Sequence, residues 1–296
     1  MKTIWALVSR NQKLFFKDKG MFISSLITPI ILIVLYATFL ANVYKDSFNS
    51  SLPSFIHVSK DIINATVASQ LCAALLAVTC VTVTFCVNLT MVQDKASGTR
   101  KDFDVSPVSK STLYIGYLIS TIFTSLLINF IAFGICLLYV SQMGWYLSSM
   151  DILSLVLDIF LIVLFGSLLS SVLCFFLKTQ GQMSAVGTIV SAGYGFLCGA
   201  YMPMSNFSKG LQNFLSYLPS TYGTSLLKNH MLRGVFQEMK HSGFSSSIVN
   251  SIADSLDCNP VFRGNIVSVQ TMILILLSSI CILCVVYFGF INMKDR

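Results

Sequence analysis

Charge is what this sequence has least of. Only 10% of its 296 residues are Asp, Glu, Lys or Arg, against about 25% in a soluble globular chain. A larger core would not account for the shortfall, because a water-facing surface still has to be covered with polar groups. An ordinary soluble globule is therefore excluded. Also missing are short segments of alternating polarity, the mark of transmembrane barrel strands. Nine cysteines are present, but Cys72, Cys80, Cys86, Cys136, Cys174, Cys198, Cys281 and Cys284 lie in apolar stretches and Cys258 has no neighbour to pair with. That pattern supports neither a disulfide framework nor a Cys/His metal cluster. The three histidines, His57, His230 and His241, lie far apart, with no zinc-protease spacing. Neither Gly-x-Ser-x-Gly nor the phosphate-cradling Gly-x-x-x-x-Gly-Lys-Ser/Thr occurs. No catalytic residue and no metal ligand is assigned.

What the sequence does have is long uncharged runs, at 20–44, 62–93, 111–150, 159–177, 179–208 and 264–293. A helix needs about 20 apolar residues to span the hydrocarbon core. The runs predict an all-α integral membrane protein with six transmembrane helices, near 21–43, 67–91, 113–140, 152–177, 183–203 and 266–291. The stretch 21–43 is too long for a signal-peptide core and no small-residue cleavage site follows it, so it is read as a retained first helix.

The basic residues assign the sides. Lys2, Arg10, Lys13, Lys17 and Lys19 precede the first helix; Lys95, Arg100, Lys101 and Lys110 follow the second; Lys178 follows the fourth; Lys294 and Arg296 close the chain. The short loops opposite carry only Lys45 and Lys60. By the positive-inside rule both termini are cytoplasmic in a multi-pass cell-membrane protein. The loop 203–265 is long enough to escape that rule. The excess of basic residues fits anionic headgroups, and nucleic acid is not needed to explain it.

Residues 1–20 read as a cytoplasmic amphipathic interfacial helix anchored by Ile4, Trp5, Val8, Phe15 and Phe16. Residues 21–296 then form the membrane domain. Within it, 203–265 is an extracellular insertion. Its uncharged part, 210–227, is short and divided by Pro219, which suggests a re-entrant hairpin of two short helices followed by a small polar subdomain.

Residues 91–110 read Met-Val-Gln-Asp-Lys-Ala-Ser-Gly-Thr-Arg-Lys-Asp-Phe-Asp-Val-Ser-Pro-Val-Ser-Lys. Gly98 permits a sharp bend, and Pro107 stops a short helix through residues 99–104. Such a charged cytoplasmic knob can dock in a groove of a soluble partner, or it is an ordinary charged loop. The stretch resembles the ABC-2 permease pattern of an acidic residue, Gly-Thr, a short helix and Ser/Thr-Pro-Val/Ile-Ser-Arg/Lys. Asp94 replaces the usual Glu, while Gly98, Thr99, Ser106, Pro107, Ser109 and Lys110 fall on the pattern. Ala96 and Asp104 depart from it.

A second match, Gly195 to Pro203 followed by Phe207, Leu218-Pro219 and Tyr222, resembles the family's Gly-x-x-x-Pro … Leu-x-Pro-x-x-Tyr signature. The resemblance implies that 92–110 is a coupling segment seated in an ATPase cleft, with Asp94, Gly98, Thr99, Arg100, Asp102, Phe103, Asp104, Ser106 and Pro107 as coupling residues. It also implies two copies of a separate ABC ATPase that bind the ATP and Mg, a second permease copy as homodimer partner, and no cofactor on this chain.

Gly187, Ser191, Gly195 and Gly199 recur every fourth residue, a small-residue face that lets a helix approach closely. The resemblance implies the dimer interface there; packing within one bundle is the alternative. Thr79, Thr82, Asn88, Asn129 and Asp158 are candidates for a translocation path. Against this, the Thr hydroxyls can bond back to their own helix, and Asp158 lies near enough to the outer end to reach the interface.

The reading is an exporter permease for a drug-like, peptide or other amphipathic substrate. The alternative within the family is polysaccharide or lipid-linked cargo. An intramembrane lipid-modifying enzyme or an ion-coupled transporter would need clustered intramembrane charge, and the sequence offers Asp158 alone.

Overall fold

A computed structural model describes residues 2–35, 42 and 59–295. Most of the expected end of the first helix (36–41 and 43), Lys45 and His57 lie outside the described residues, as does Arg296. The fold is almost wholly helical: α1 (Lys2–Lys17), α2 (Lys19–Leu35), α3 (Lys60–Ala96), α4 (Thr99–Asp104), α5 (Lys110–Met143), α6 (Ser149–Phe176), α7 (Gln180–Leu197), α8 (Lys209–Leu215), α9 (Pro219–His241), α10 (Ser246–Ser255) and α11 (Val269–Asp295). A two-residue hairpin, β1 (Val261–Phe262) against β2 (Asn265–Ile266), precedes α11.

Polar side chains set the helix starts. Ser59 Oγ accepts the Ile62 N–H at the head of α3, and Ser109 Oγ accepts that of Thr112 at the head of α5. Reciprocal capping boxes open α6 (Ser148 with Asp151) and α7 (Thr179 with Gln182).

Among the described residues four helices, α3, α5, α6 and α11, are long and apolar enough to cross a membrane. They differ in what surrounds them. The most apolar 18-residue window of α3 is entirely buried in protein, whereas that of α11 is 11% buried. A helix apolar on every side and enclosed on every side is the core of its bundle, and α3 is that core. It packs chiefly on α5, α6 and α9, with α2 and α7 on a further side. In lipid such packing gains little from the hydrophobic effect and depends on close approach and on hydrogen bonds between helices. Gly166 of α6 supplies close approach: a Cβ there would stand 2.7 Å from Thr84 Oγ1 and 3.2 Å from the Val81 Cα of α3. Asn88 supplies the bonds, its Nδ2 donating to Ser170 Oγ at 3.1 Å and Ser171 Oγ at 2.9 Å.

The structure revises the expected insertion between α7 and α11. α7 ends at Leu197, not near 203, and a turn with a short 3₁₀ segment at Met204–Asn206 follows. Of the two expected short helices, α8 has seven residues but α9 has 23. α9 runs antiparallel to α6: Arg233 meets Asp151, His230 meets Asp158 and Gly223 lies against Ile162. Pro219 sits at its first turn, where the missing N–H costs nothing. The α9 backbone also seats directly on the α5–α6 turn, because a Cβ at Gly234 would overlap the Tyr146 carbonyl. Apolar residues of α9 and α10, with buried Cys258 after them, close over the Lys60 end of α3.

Candidate functional site

The far end of the buried α3 carries a cluster of charged contacts. α3 stops at Ala96, and Gly98 turns the chain with φ +84°. Only glycine takes that left-handed geometry without cost. The six-residue α4 follows. Its exit is held by the Ser106 hydroxyl, which donates to the Phe103 carbonyl at 2.7 Å.

Asp94, one turn before the bend, is buried and accepts three hydrogen bonds. Arg10 of α1 donates through Nη1 to Oδ2 at 2.5 Å and through Nη2 to Oδ1 at 2.8 Å. The Tyr117 hydroxyl of α5 donates to Oδ2 at 2.5 Å. A two-pronged guanidinium–carboxylate contact fixes orientation as well as charge. Its hydrogen bond to Asp94 raises the Arg10 pKa above its ordinary value, so Arg10 stays charged. The same guanidinium lies 5.1 Å from the centre of the Phe103 ring on α4. One arginine thus ties together α1, the core helix α3, the short α4 and α5.

A second set of contacts ties the same bend to the other helices. Lys95 Nζ donates to the carbonyls of Cys174 (2.9 Å), Phe175 (2.9 Å) and Leu177 (3.1 Å), the unsatisfied end of α6. A cation there also meets the negative end of the helix dipole. Arg100 lies over the Tyr114 ring at 4.8 Å, and Tyr287 of α11 donates to the Tyr114 carbonyl at 3.0 Å.

The sequence-derived coupling residues therefore divide by direction. Asp102, Asp104 and Pro107 are exposed, with Val105 beside them at 88%. Gly98, Thr99, Arg100, Phe103 and Ser106 are half-buried, and Arg100 and Phe103 turn inward. Asp94 is buried behind Arg10 and Tyr117. Its place is the joint behind the knob. Sequence reading missed Arg10 and Tyr117 as its partners, since they lie 84 and 23 residues away.

The small-residue face is broken up. Gly187 and Ser191 line a groove of about 580 Å³ between α2, α3 and α7. Gly195 instead receives the Tyr201 ring of its own chain, and Gly199 lies beyond the helix with φ +71°. The strict four-residue stripe ends where α7 ends.

The candidate path residues are all buried. Thr79 and Thr82 donate to the carbonyls of Leu76 and Val78, and Asn129 Nδ2 to that of Ser125. Asn88 bridges to α6 as described. Asp158 does not turn to an interface: its Oδ2 is 2.6 Å from His230 Nδ1, and the pair is enclosed between α6 and α9. It also has company, since Lys228 is buried on α9 within 3.4 Å of Asp257 Oδ2. Burial raises the Asp257 carboxyl above its ordinary range. Among the described residues no group of His, Cys, Asp and Glu has the makings of a metal site.

The family model described as ABC-2 type transporter matches residues 2–232. No curated protein sequence matches the chain.

Proposed function

The chain belongs to the ABC-2 type transporter family, and from that premise we propose that it is the permease of an exporter whose α4 knob docks on a separate ABC ATPase. Membership makes it the membrane component of an ABC transporter, working with an ATPase subunit. The proposal adds direction, geometry and stoichiometry. Two permease copies and two ATPases form the complex, ATP and Mg sit on the ATPases, and the termini face the cytoplasm of the cell membrane. α2 and α7 join the four apolar helices to make six spans, with α1 on the inner surface as the interfacial helix and the region 203–265 outside.

One observation carries this reading: α4 is a short, outward-facing helix rigidly joined to the core of the bundle. Asp102 and Asp104 of its outer face, with Val105 and Pro107 just after it, are exposed toward a partner, while Arg100 and Phe103 grip the permease. A push on α4 therefore reaches α3 through Gly98 and α1 and α5 through Arg10, Asp94 and Tyr117. Such a joint moves several helices as one body, which is what ATP-driven opening of a path requires.

The groove between α2, α3 and α7 supports the second permease copy and the path on this side. It is walled mainly by apolar and small residues such as Ile27, Ile31, Leu89, Met183 and Gly187. Such walls suit a drug-like, peptide or other amphipathic substrate. Polysaccharide or lipid-linked cargo would use a path with more hydrogen-bonding groups.

The test is co-purification with the ATPase after residues 98–104 are replaced by a flexible linker of equal length. The expected result is a folded permease that no longer retains the ATPase or stimulates its turnover. A complex unchanged in assembly and turnover would remove α4 from the coupling path.

A further inference from the structure

A pocket of about 300 Å³ opens between the α3–α4 bend, α5 and the α6–α7 turn, and its lining is cationic. Lys95, Arg100, Lys101 and Lys178 border it together with Gly98 and Tyr114. No acidic residue is among the lining groups. The nearest carboxylate with a contact is that of Asp104, 3.4 Å from Arg100 Nε and half exposed to solvent. Arg100 Nη1, by contrast, is fully buried with no hydrogen-bond partner among the described residues. A buried guanidinium N–H left unpaired is costly, and Arg100 is one of the residues that border the pocket. Lys95 is already committed to the end of α6, so it supplies charge more than a donor. Lys101 and Lys178 are exposed at the rim.

We propose that this pocket binds the phosphate of an anionic lipid headgroup. The neighbouring surface says why a lipid, rather than a soluble anion, is the occupant. Leu173 and Phe176, on the last turns of α6 immediately before Lys178, are exposed apolar side chains, and Phe176 packs edge-on against Phe290 of α11. A headgroup held at Arg100 and Lys178 lays its acyl chains along that face. Basic pockets between transmembrane helices on the cytoplasmic side are the places where anionic headgroups collect. The inward orientation rests on the topology proposed above; the binding itself does not. Because the pocket shares Gly98 and Arg100 with the α4 joint, a bound lipid would also brace the knob from behind.

The experiment titrates delipidated full-length protein in detergent with phosphatidylglycerol or phosphatidylcholine and counts retained lipid by native mass spectrometry. Wild type is expected to hold phosphatidylglycerol in preference to phosphatidylcholine. The triple variant Arg100→Gln, Lys101→Gln, Lys178→Gln is expected to weaken that binding on the order of a hundredfold, about fivefold for each cation removed. Lys178→Gln alone is expected to weaken it about fivefold, which keeps the test decisive if the triple variant fails to fold. The control Lys2→Gln, Lys13→Gln, Lys17→Gln removes three charges from α1 and should leave the site occupied. Equal loss in that control would reduce the effect to general surface attraction and overturn the proposal. Displacement of the lipid by millimolar inorganic phosphate would make a free phosphate the ligand. A triple variant that keeps its lipid but loses the ATPase would make an acidic group of that protein the occupant. Either result overturns the lipid assignment.

Discussion

Arg10 holds both carboxylate oxygens of Asp94, and Tyr117 of α5 holds one of them. The carboxylate is buried while the arginine stays partly exposed at 29%. The pair therefore joins a surface helix to the core helix one turn before the knob bends away.

Removing one partner leaves the other unsatisfied. Arg10→Gln is expected to cost roughly 1–3 kcal/mol, the penalty for stranding a buried group. Asp94→Asn should cost less, because the amide oxygen still accepts from Tyr117 and Arg10. Thermal unfolding in detergent measures both, and the double variant should fall short of the sum of the two single losses. In the assembled transporter Arg10→Gln should also lower substrate-stimulated ATP turnover more than it lowers stability. Full additivity of the two changes would separate the residues energetically.

Val105→Asp tests the outer face. The side chain is almost wholly exposed, so the change should leave the melting temperature of the isolated permease within about 1 °C, consistent with a surface effect inside ±0.5 kcal/mol. Retention of the ATPase on an affinity column should fall several-fold. Undiminished retention would move the docking surface elsewhere on the cytoplasmic side.

Gly98→Ala separates shape from crowding. Nothing lies within 4 Å of the position its Cβ would take, so the cost is confined to the left-handed backbone, about 1–2 kcal/mol. Gly98→Asn should recover part of it, since asparagine tolerates that region better. A comparison of melting temperatures for the two variants reads this out.

Gly234→Ala is expected to be far worse, although glycine to alanine normally strengthens a helix by about 1 kcal/mol. Here the added methyl would overlap the Tyr146 carbonyl, and backbone cannot step aside as a flexible side chain can. Loss of monodisperse protein on size-exclusion chromatography is the expected signature. A stable variant would mean that α9 does not seat on the α5–α6 turn.

Acidity should act through Asp257. Burial raises its folded pKa above the ordinary 3.8, so its contribution to stability is full below that value and is lost as pH rises through the folded pKa. Stability of wild type relative to Asp257→Asn is therefore expected to decline as pH is raised from about 4. A difference that grows with pH would show that the contact with Lys228 outweighs burial.

Much of the bundle is legible in the sequence because its signals are local. The uncharged runs mark α3, α5, α6 and α11, since a hydrocarbon core tolerates no other composition over that length. Gly98 and Pro107 bracket α4, because backbone geometry at those residues depends on little beyond themselves. The insertion between α7 and α11 is less legible in the sequence. Pro219 looks like a divider in sequence, yet at a helix start it is favourable, and the 23 residues of α9 follow it.

Composition alone makes this protein a membrane-embedded helical bundle, and local spacing puts a charged knob after its second uncharged run. Composition and spacing suffice for that, because the cost of burying charge or unpaired backbone in lipid applies wherever the residue falls. Which charges meet is set by how the helices pack. Asp94 turned from a presumed contact into the centre of a joint with Arg10 and Tyr117. Asp158 turned from a lone intramembrane acid into the partner of His230, and the α7 stripe broke at Tyr201. The Asp94 and Asp158 pairings join residues 23 to 84 apart in the chain, and each exists only once separate helices have packed at a fixed height and rotation. No local pattern encodes that register.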